Sequence, residues 1–202
     1  MHRNMKALIY DFETLSQDPQ RGVVINMAAM NFTEDRYLPD PYTYEELVDN
    51  AKLIKFDVKE QVEKYNRRIE KNSLDWWKEQ PAEARKQLNP SSEDVSIDQL
   101  CNFMLVDMNY EQMQKVFTRG NSFDPVLVDN IFLETGCRKP NNWWAIRDTR
   151  SFIEGFTYGT DIRHDFHPQE IQDKFVTHDA RHDIAMDVYR MQYLVRNLYG
   201  QD

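Results

Sequence analysis

Lys6-Ala7-Leu8-Ile9-Tyr10-Asp11-Phe12-Glu13-Thr14 decides how the rest of the chain is read. Four apolar residues, Ala7 to Tyr10, run up to an acid, which is the pattern of a buried strand ending at Asp11. Alternation along a strand points Asp11 and Glu13 the same way. In open α/β sheets, ligands gather where such strands end. Two carboxylates side by side there repel each other unless a cation neutralises them, so the pair has the local design of a magnesium or manganese site. About one Asp-x-Glu is expected by chance at this acid content, so partners must be sought elsewhere in the chain.

Reading outward, Gly22 turns the chain into a second strand over 23–32, and the two strands are expected to form a hairpin. Pro39 and Pro41 mark 40–44 as loop. Val58, Val62, Tyr65 and Ile69 recur at helical spacing across 58–71, with Lys64, Arg67, Arg68 and Lys71 on a face expected to be solvated. Ser73 is expected to cap a short helix through Trp76 and Trp77, and Pro81 to open another through Leu88. Residues 89–92 read as a turn, and 97–108 as a helix with Leu100, Phe103 and Met104 inward. A strand over 115–120 runs into Gly120, and a helix over 125–134 is closed by Gly136. Residues 143–146 read as another strand, and 158–168 as a polar loop holding His164 and His167. The last helix spans 180–199, where Ala180, Ile184, Val188, Met191, Val195 and Leu198 make one apolar stripe. Strands interleaved with helices, with no linker-like shift in composition, predict one α/β domain over 1–202: a mixed central sheet flanked by helices.

The 202 residues are 41% hydrophobic and 29% charged and include 4 Trp, 10 Tyr and 11 Phe, a content that supplies the burial disordered chains lack. No apolar run approaches the roughly 20 residues of a membrane span. The opening Met1-His2-Arg3-Asn4-Met5-Lys6 leads into an apolar run too short for a signal peptide. Two cysteines, Cys101 and Cys137, exclude a disulfide scaffold and a cysteine-rich zinc module, and are expected to be reduced thiols of a cytoplasmic protein. With 25 basic and 34 acidic residues the net charge is −9, which argues against a general nucleic-acid coat protein. A nucleic-acid enzyme stays open, because carboxylates that hold divalent cations count as negative only until the metals arrive.

Two further places carry chemistry-bearing side chains. Asp124, in Asn121-Ser122-Phe123-Asp124, follows a strand and starts a helix; ahead of Pro125 it also suits a helix cap. In His178-Asp179-Ala180-Arg181-His182-Asp183, a helix starting near Ala180 leaves His178 in the preceding loop and Asp183 about one turn in, so both can face one cavity. His182 and Asp187 share that spacing. At about 100° per residue, however, His182 falls opposite the apolar stripe while Asp183 borders it, so His182 is expected to face solvent.

Taken together, Asp11 with Glu13, then Asp124, then His178 with Asp183 resemble the DEDDh 3′–5′ exonucleases of the ribonuclease-H-like superfold. The first family motif stands as Asp11-Phe12-Glu13-Thr14, and the second as Ser122-Phe123-Asp124-Pro125. The third stands as His178-Asp179-Ala180-Arg181-His182-Asp183, with the family's small residue present as Ala180. Residues 73–86, 90–96, 118–124 and 147–150 are similar to phage exodeoxyribonucleases of the exonuclease A type, so the resemblance runs from Ala7 to about Tyr193. Compact bacterial exoribonucleases are related, and the departures lie mainly in 155–175.

The resemblance implies a ribonuclease-H-like fold. It also implies a phosphodiesterase that releases nucleoside monophosphates from 3′ ends with two magnesium or manganese ions. Asp11 is then expected to bridge the ions. Glu13 and Asp183 are expected to hold the one that binds the attacking water, and Asp124 to hold the second. His178 is expected to take a proton from that water. Phe12, Thr14 and Phe123 are expected to touch substrate, as are Arg147 and Arg150. The phage likeness favours DNA, single-stranded, with RNA as the alternative; the enzyme is expected in the cytoplasm (the host's if phage-encoded), off the membrane, and the likeness to small DEDDh enzymes allows a monomer or homodimer.

Other readings compete. A ribonuclease-H-like domain that only binds a partner would not need all five site residues. His164-x-x-His167 with His178-x-x-x-His182 has the look of a zinc site, without cysteine support. Trp76-Trp77 and Trp143-Trp144 suit base stacking or plain packing. Arg119, Arg147, Arg150 and Arg181 suit phosphate contacts or surface ion pairs.

Overall fold

In the computed structural model, which describes residues 6–200, β1 (Lys6–Thr14) and β2 (Val24–Thr33) form the expected antiparallel pair, from Lys6↔Thr33 to Glu13↔Asn26. Residues 1–5, on which the reading of the opening rests, lie outside the described residues. β3 (Lys52–Lys55) pairs antiparallel with β2, while β4 (Lys115–Thr118) lies parallel to β1 and β5 (Ile146–Asp148) parallel to β4. Among the described residues these strands make one sheet in the order β3-β2-β1-β4-β5, with β2 running against the other four. The helices are α1 (Tyr44–Asn50), α2 (Val58–Tyr65), α3 (Lys71–Glu79), α4 (Ala82–Arg85), α5 (Gln99–Asn102), α6 (Asp124–Glu134), α7 (Thr149–Thr157) and α8 (Ala180–Tyr199). None is long and apolar enough to cross a membrane.

β1 sorts the two faces. Ala7 and Ile9 pack in one core with α1, α7 and α8, through Leu47, Ile153, Ile184 and Val188. Leu8, Tyr10 and Phe12 pack in the other with α5, the turn after it and α6, through Leu100, Met104, Leu127 and Ile131. Asp11 and Glu13 continue the Ala7–Ile9 row and therefore emerge on the side of α8.

α8 starts at Ala180, as read, with the Asp179 side chain accepting from the Arg181 N–H. Its buried face is wider than the stripe, adding Ala185, Met186 and Leu194, while Leu198 is exposed. The helix read over 58–71 stops at Tyr65, because Asn66 takes a left-handed backbone (φ 52°) that turns the chain back. Arg67 consequently leaves the solvated face assigned to it. It is buried, donating to the Gly22 carbonyl and to Glu134. Over 97–108, α5 widens after one turn into a π-helical turn at Phe103–Asp107, which still faces Phe103 and Met104 inward.

α3 begins at Lys71, without the Ser73 cap. The strand read over 143–146 is a 3-10 turn at Trp143–Ala145, with β5 starting at Ile146. α1, β3 and α7 are not expected from the sequence. The two cysteines depart from expectation: α5 and α6 pack on one face of the sheet, which leaves the Cα atoms of Cys101 and Cys137 6.0 Å apart and joined by a disulfide.

Candidate active site

Three structural elements bring the acids together. β1 carries Asp11 and Glu13. The loop before α8 and its first turn carry His178 and Asp183, and α6 opens on Asp124. Glu13, His178 and Asp183 each present a ligand atom, and these atoms lie within 4.8 Å of one another. Among the described residues this is the group of three such side chains close enough to share an ion. Glu13 and Asp124 are buried, whereas Asp11, His178 and Asp183 are only partly so, which leaves the cluster reachable from solvent.

Asp124 is not the cap that its place before Pro125 suggests. The cap position falls to Phe123, with no side-chain hydrogen bond, and the Phe12 N–H opposes burial by lowering the pKa of the Asp124 carboxyl. β4 has run out by then, since its pairing with β1 ends at Ile9, so that N–H is available.

Electrostatics ties the four carboxyls into one unit. Burial raises the Asp11 carboxyl well above the usual carboxylate range, and repulsion from Asp124 and Asp187 adds to it. Burial does the same to Glu13, with repulsion from Asp11 and Asp183, and to Asp183, with repulsion from Asp11. Burial pushes Asp124 up to about 8. Carboxyls raised in the folded state favour folding below their ordinary pKa of about 4, and that contribution is lost as pH rises through the raised values. The metal-free protein is therefore expected to melt at lower temperature as pH goes from 5 towards 9. Millimolar magnesium or manganese is expected to restore about 5–10 °C at the upper end, read by thermal melting with and without EDTA.

The nearest cations are already engaged. Arg119 is ion-paired to Asp187, which also accepts from Arg190 and from the Thr149 hydroxyl. Asp187, the acid of the competing His182 register, is thus taken up by two arginines. His182 does not face solvent. Its Nδ1 lies 2.9 Å from the Tyr44 hydroxyl, because α1 and residues 175–176 pack over that side of α8. The zinc reading finds no geometry: His164 pairs with Glu154, and His167 packs edge-on against Phe175.

Phe12, Thr14 and Phe123 line a cleft of about 370 Å³ with Glu13, to which α3 contributes Asn72, Ser73 and Trp76. Trp77 is buried and donates from Nε1 to the Thr14 carbonyl, whereas Trp76 is exposed and lies edge-to-face on His178. Arg147 and Arg150 are exposed and do not line this cleft; Arg147 donates to the carbonyls of Trp144 and Ile146. Arg181 is paired with Asp179. Asn72, which carries no periodic or motif signal, escapes the sequence, and Ser73, expected as a helix cap, instead lines the cleft.

Residues 6–193 match the family described as the 3′-5′ exoribonuclease Rv2179c-like domain. A relative from Enterobacteria phage T4, an exodeoxyribonuclease, is 35% identical over 213 residues, covering 97% of this chain and 92% of the relative. Solved structures of similar fold include E. coli exonuclease I in complex with a 5cy-dT13 oligonucleotide, at TM-score 0.58 and 14% identity, over 98% of this chain and 42% of that one. A moderately thermophilic exonuclease I from Methylocaldum szegediense matches at TM-score 0.62 and 12% identity, over 98% and 41%. This chain therefore spans about two-fifths of exonuclease I, and the likeness shows the ribonuclease-H-like fold. By its sequence over nearly its whole length, the chain belongs to the 3′-5′ exoribonuclease Rv2179c-like family, as a DEDDh-type 3′–5′ exonuclease.

Proposed function

We propose that this protein removes nucleoside monophosphates one at a time from the 3′ end of single-stranded DNA, as one exonuclease domain. The observation that carries the reading is the meeting of Glu13, His178 and Asp183 within 4.8 Å, charge-coupled to Asp11 and Asp124, with Glu13 also lining an aromatic cleft. DNA is favoured by the phage relative named an exodeoxyribonuclease and by the exonuclease I structure with an oligo-dT ligand. RNA is the second reading, favoured by the family's own description.

The donor set fits divalent metal. It consists of carboxylate oxygens beside the His178 ring nitrogen, partly open to solvent, and the nearest arginine is committed to Asp187. Asp11, Glu13, Asp124 and Asp183 would hold magnesium or manganese, two ions in our reading. Bound there, the ions would offset the negative charge that develops on the attacking and leaving oxygens.

The chain's own groups do the rest. Phe12, Thr14 and Phe123 cradle the terminal nucleotide, which orients its phosphate towards the acids. His178 accepts the proton of the attacking water as that oxygen bonds to phosphorus. The bond to the 3′-oxygen of the preceding nucleotide breaks, and a 5′-monophosphate leaves. Burial lowers the His178 pKa, so at neutral pH the imidazole is in the form that accepts a proton.

The test is digestion of 5′-labelled DNA and RNA oligomers of one sequence, with magnesium or manganese. Progressive shortening from the 3′ end, faster on DNA and stopped by EDTA, is expected. Two intact substrates under both metals would leave only a binding module, and faster loss of RNA would reverse the substrate assignment.

A further inference from the structure

We infer that Gln87, oriented by Asn26, is a positioning residue that holds His178 against the acid cluster; the catalytic part of this inference rests on the exonuclease reading. His178 has a left-handed backbone, φ 61°. That conformation is uncommon for a side chain with a Cβ and persists where neighbours enforce it. The turned peptide is met by the Gln87 amide, whose Nε2 donates to the His178 carbonyl. Gln87 Oε1 in turn accepts from Asn26 Nδ2.

The polarity of this relay is fixed from its far end. A carbonyl can only accept, so Gln87 must offer its nitrogen to His178. Its oxygen then faces Asn26, and Asn26 must donate. Asn26 is buried on β2, directly opposite Glu13 in the β1–β2 ladder. The relay therefore ties the His178 turn to the rung that carries Glu13. The imidazole itself rests against Trp76, at 4.6 Å between ring centroids, and beyond it Trp77, which is hydrogen-bonded to Thr14. Backbone and ring are thus both referenced to the two strands of the acid site.

Gln87 is only partly buried and sits in a short 3-10 turn, Lys86–Leu88, so replacing it removes little core packing. Asn26 Oδ1 is buried without a hydrogen-bond partner, so an apolar replacement there removes an unsatisfied atom. Gln87→Met and Asn26→Leu each break the relay without adding charge.

The experiment follows the His178 ring protons by NMR in the metal-free full chain, assigned by their loss in a His178 variant, alongside kcat, KM and Tm. In the parent protein the Trp76 ring current displaces these signals from free-histidine positions. In both variants they are expected to move back towards those positions or to broaden. Tm should stay within a few degrees, and kcat should fall about tenfold with KM little changed. His178 signals that hold their positions in the folded variants would overturn the assignment, as would displaced signals with undiminished kcat. A parent protein inactive on every oligomer would sink the exonuclease reading alone, since the ring signals still decide whether Gln87 holds the imidazole.

Discussion

Asp11→Asn is expected to leave a folded protein whose turnover is lower by on the order of a thousandfold, about 4 kcal/mol of lost charge stabilisation at the reacting phosphate. Asp11 interacts by charge with each of the other acids, repelled by Asp124 and Asp187 and itself repelling Glu13 and Asp183. Asparagine keeps the shape and removes the charge that would hold metal. The metal-free Tm should stay level or rise. Burial and repulsion both press against the ionised carboxyl, and they outweigh the attraction of Arg119. Digestion of labelled oligomers and thermal melting in EDTA check the two halves together. A drop of many degrees in Tm would instead make Asp11 a structural residue.

The parts of the site visible in the sequence are those governed by period. Two-residue alternation places Asp11 with Glu13, and the helical period places Asp183, but not His182, beside the buried face of α8. What period cannot supply is the neighbour from a distant segment. His182 was read as solvated because its own helix leaves it bare, and Tyr44 from α1 covers it. Arg67 was read from a helix that Asn66 ends one residue earlier, and it fills a buried place beside Gly22 and Glu134. Asp124 looks like a cap in isolation, and only the exposed N–H of Phe12, left over where β4 stops, gives it other work. The Cys101–Cys137 pairing depends on α5 and α6 sharing a face of the sheet, a tertiary fact with no local signature. The sheet is legible for a different reason. β1, β2 and β4 are apolar runs, whereas the short edge strand β3, Lys52–Lys55, carries lysine at both ends and reads as surface.

His178→Asn is expected to lower kcat about a hundredfold at neutral pH, the span of a positioned general base, while the protein still binds magnesium. Asparagine is the informative replacement because the position has φ 61°, which asparagine tolerates and alanine resists. An alanine variant would mix loss of the imidazole with a disturbed turn ahead of α8. The geometry leaves two roles to separate, since the ring offers a nitrogen within 4.8 Å of both the Glu13 and the Asp183 oxygens. A base loses rate and keeps metal affinity; a ligand loses both. Calorimetric titration of magnesium into the parent protein and His178→Asn, alongside single-turnover digestion, reads the two quantities on the same samples. Equal affinities with slowed cleavage would make His178 the proton acceptor. A matched fall in affinity would make it a ligand and move the search for the base elsewhere in the cleft. Burial beside Trp76 and Trp77 lowers the pKa of the ring below the ordinary histidine value, so the parent protein's kcat should fall on the acid side of that value. The asparagine variant, with nothing to titrate at that position, should lack this acid limb.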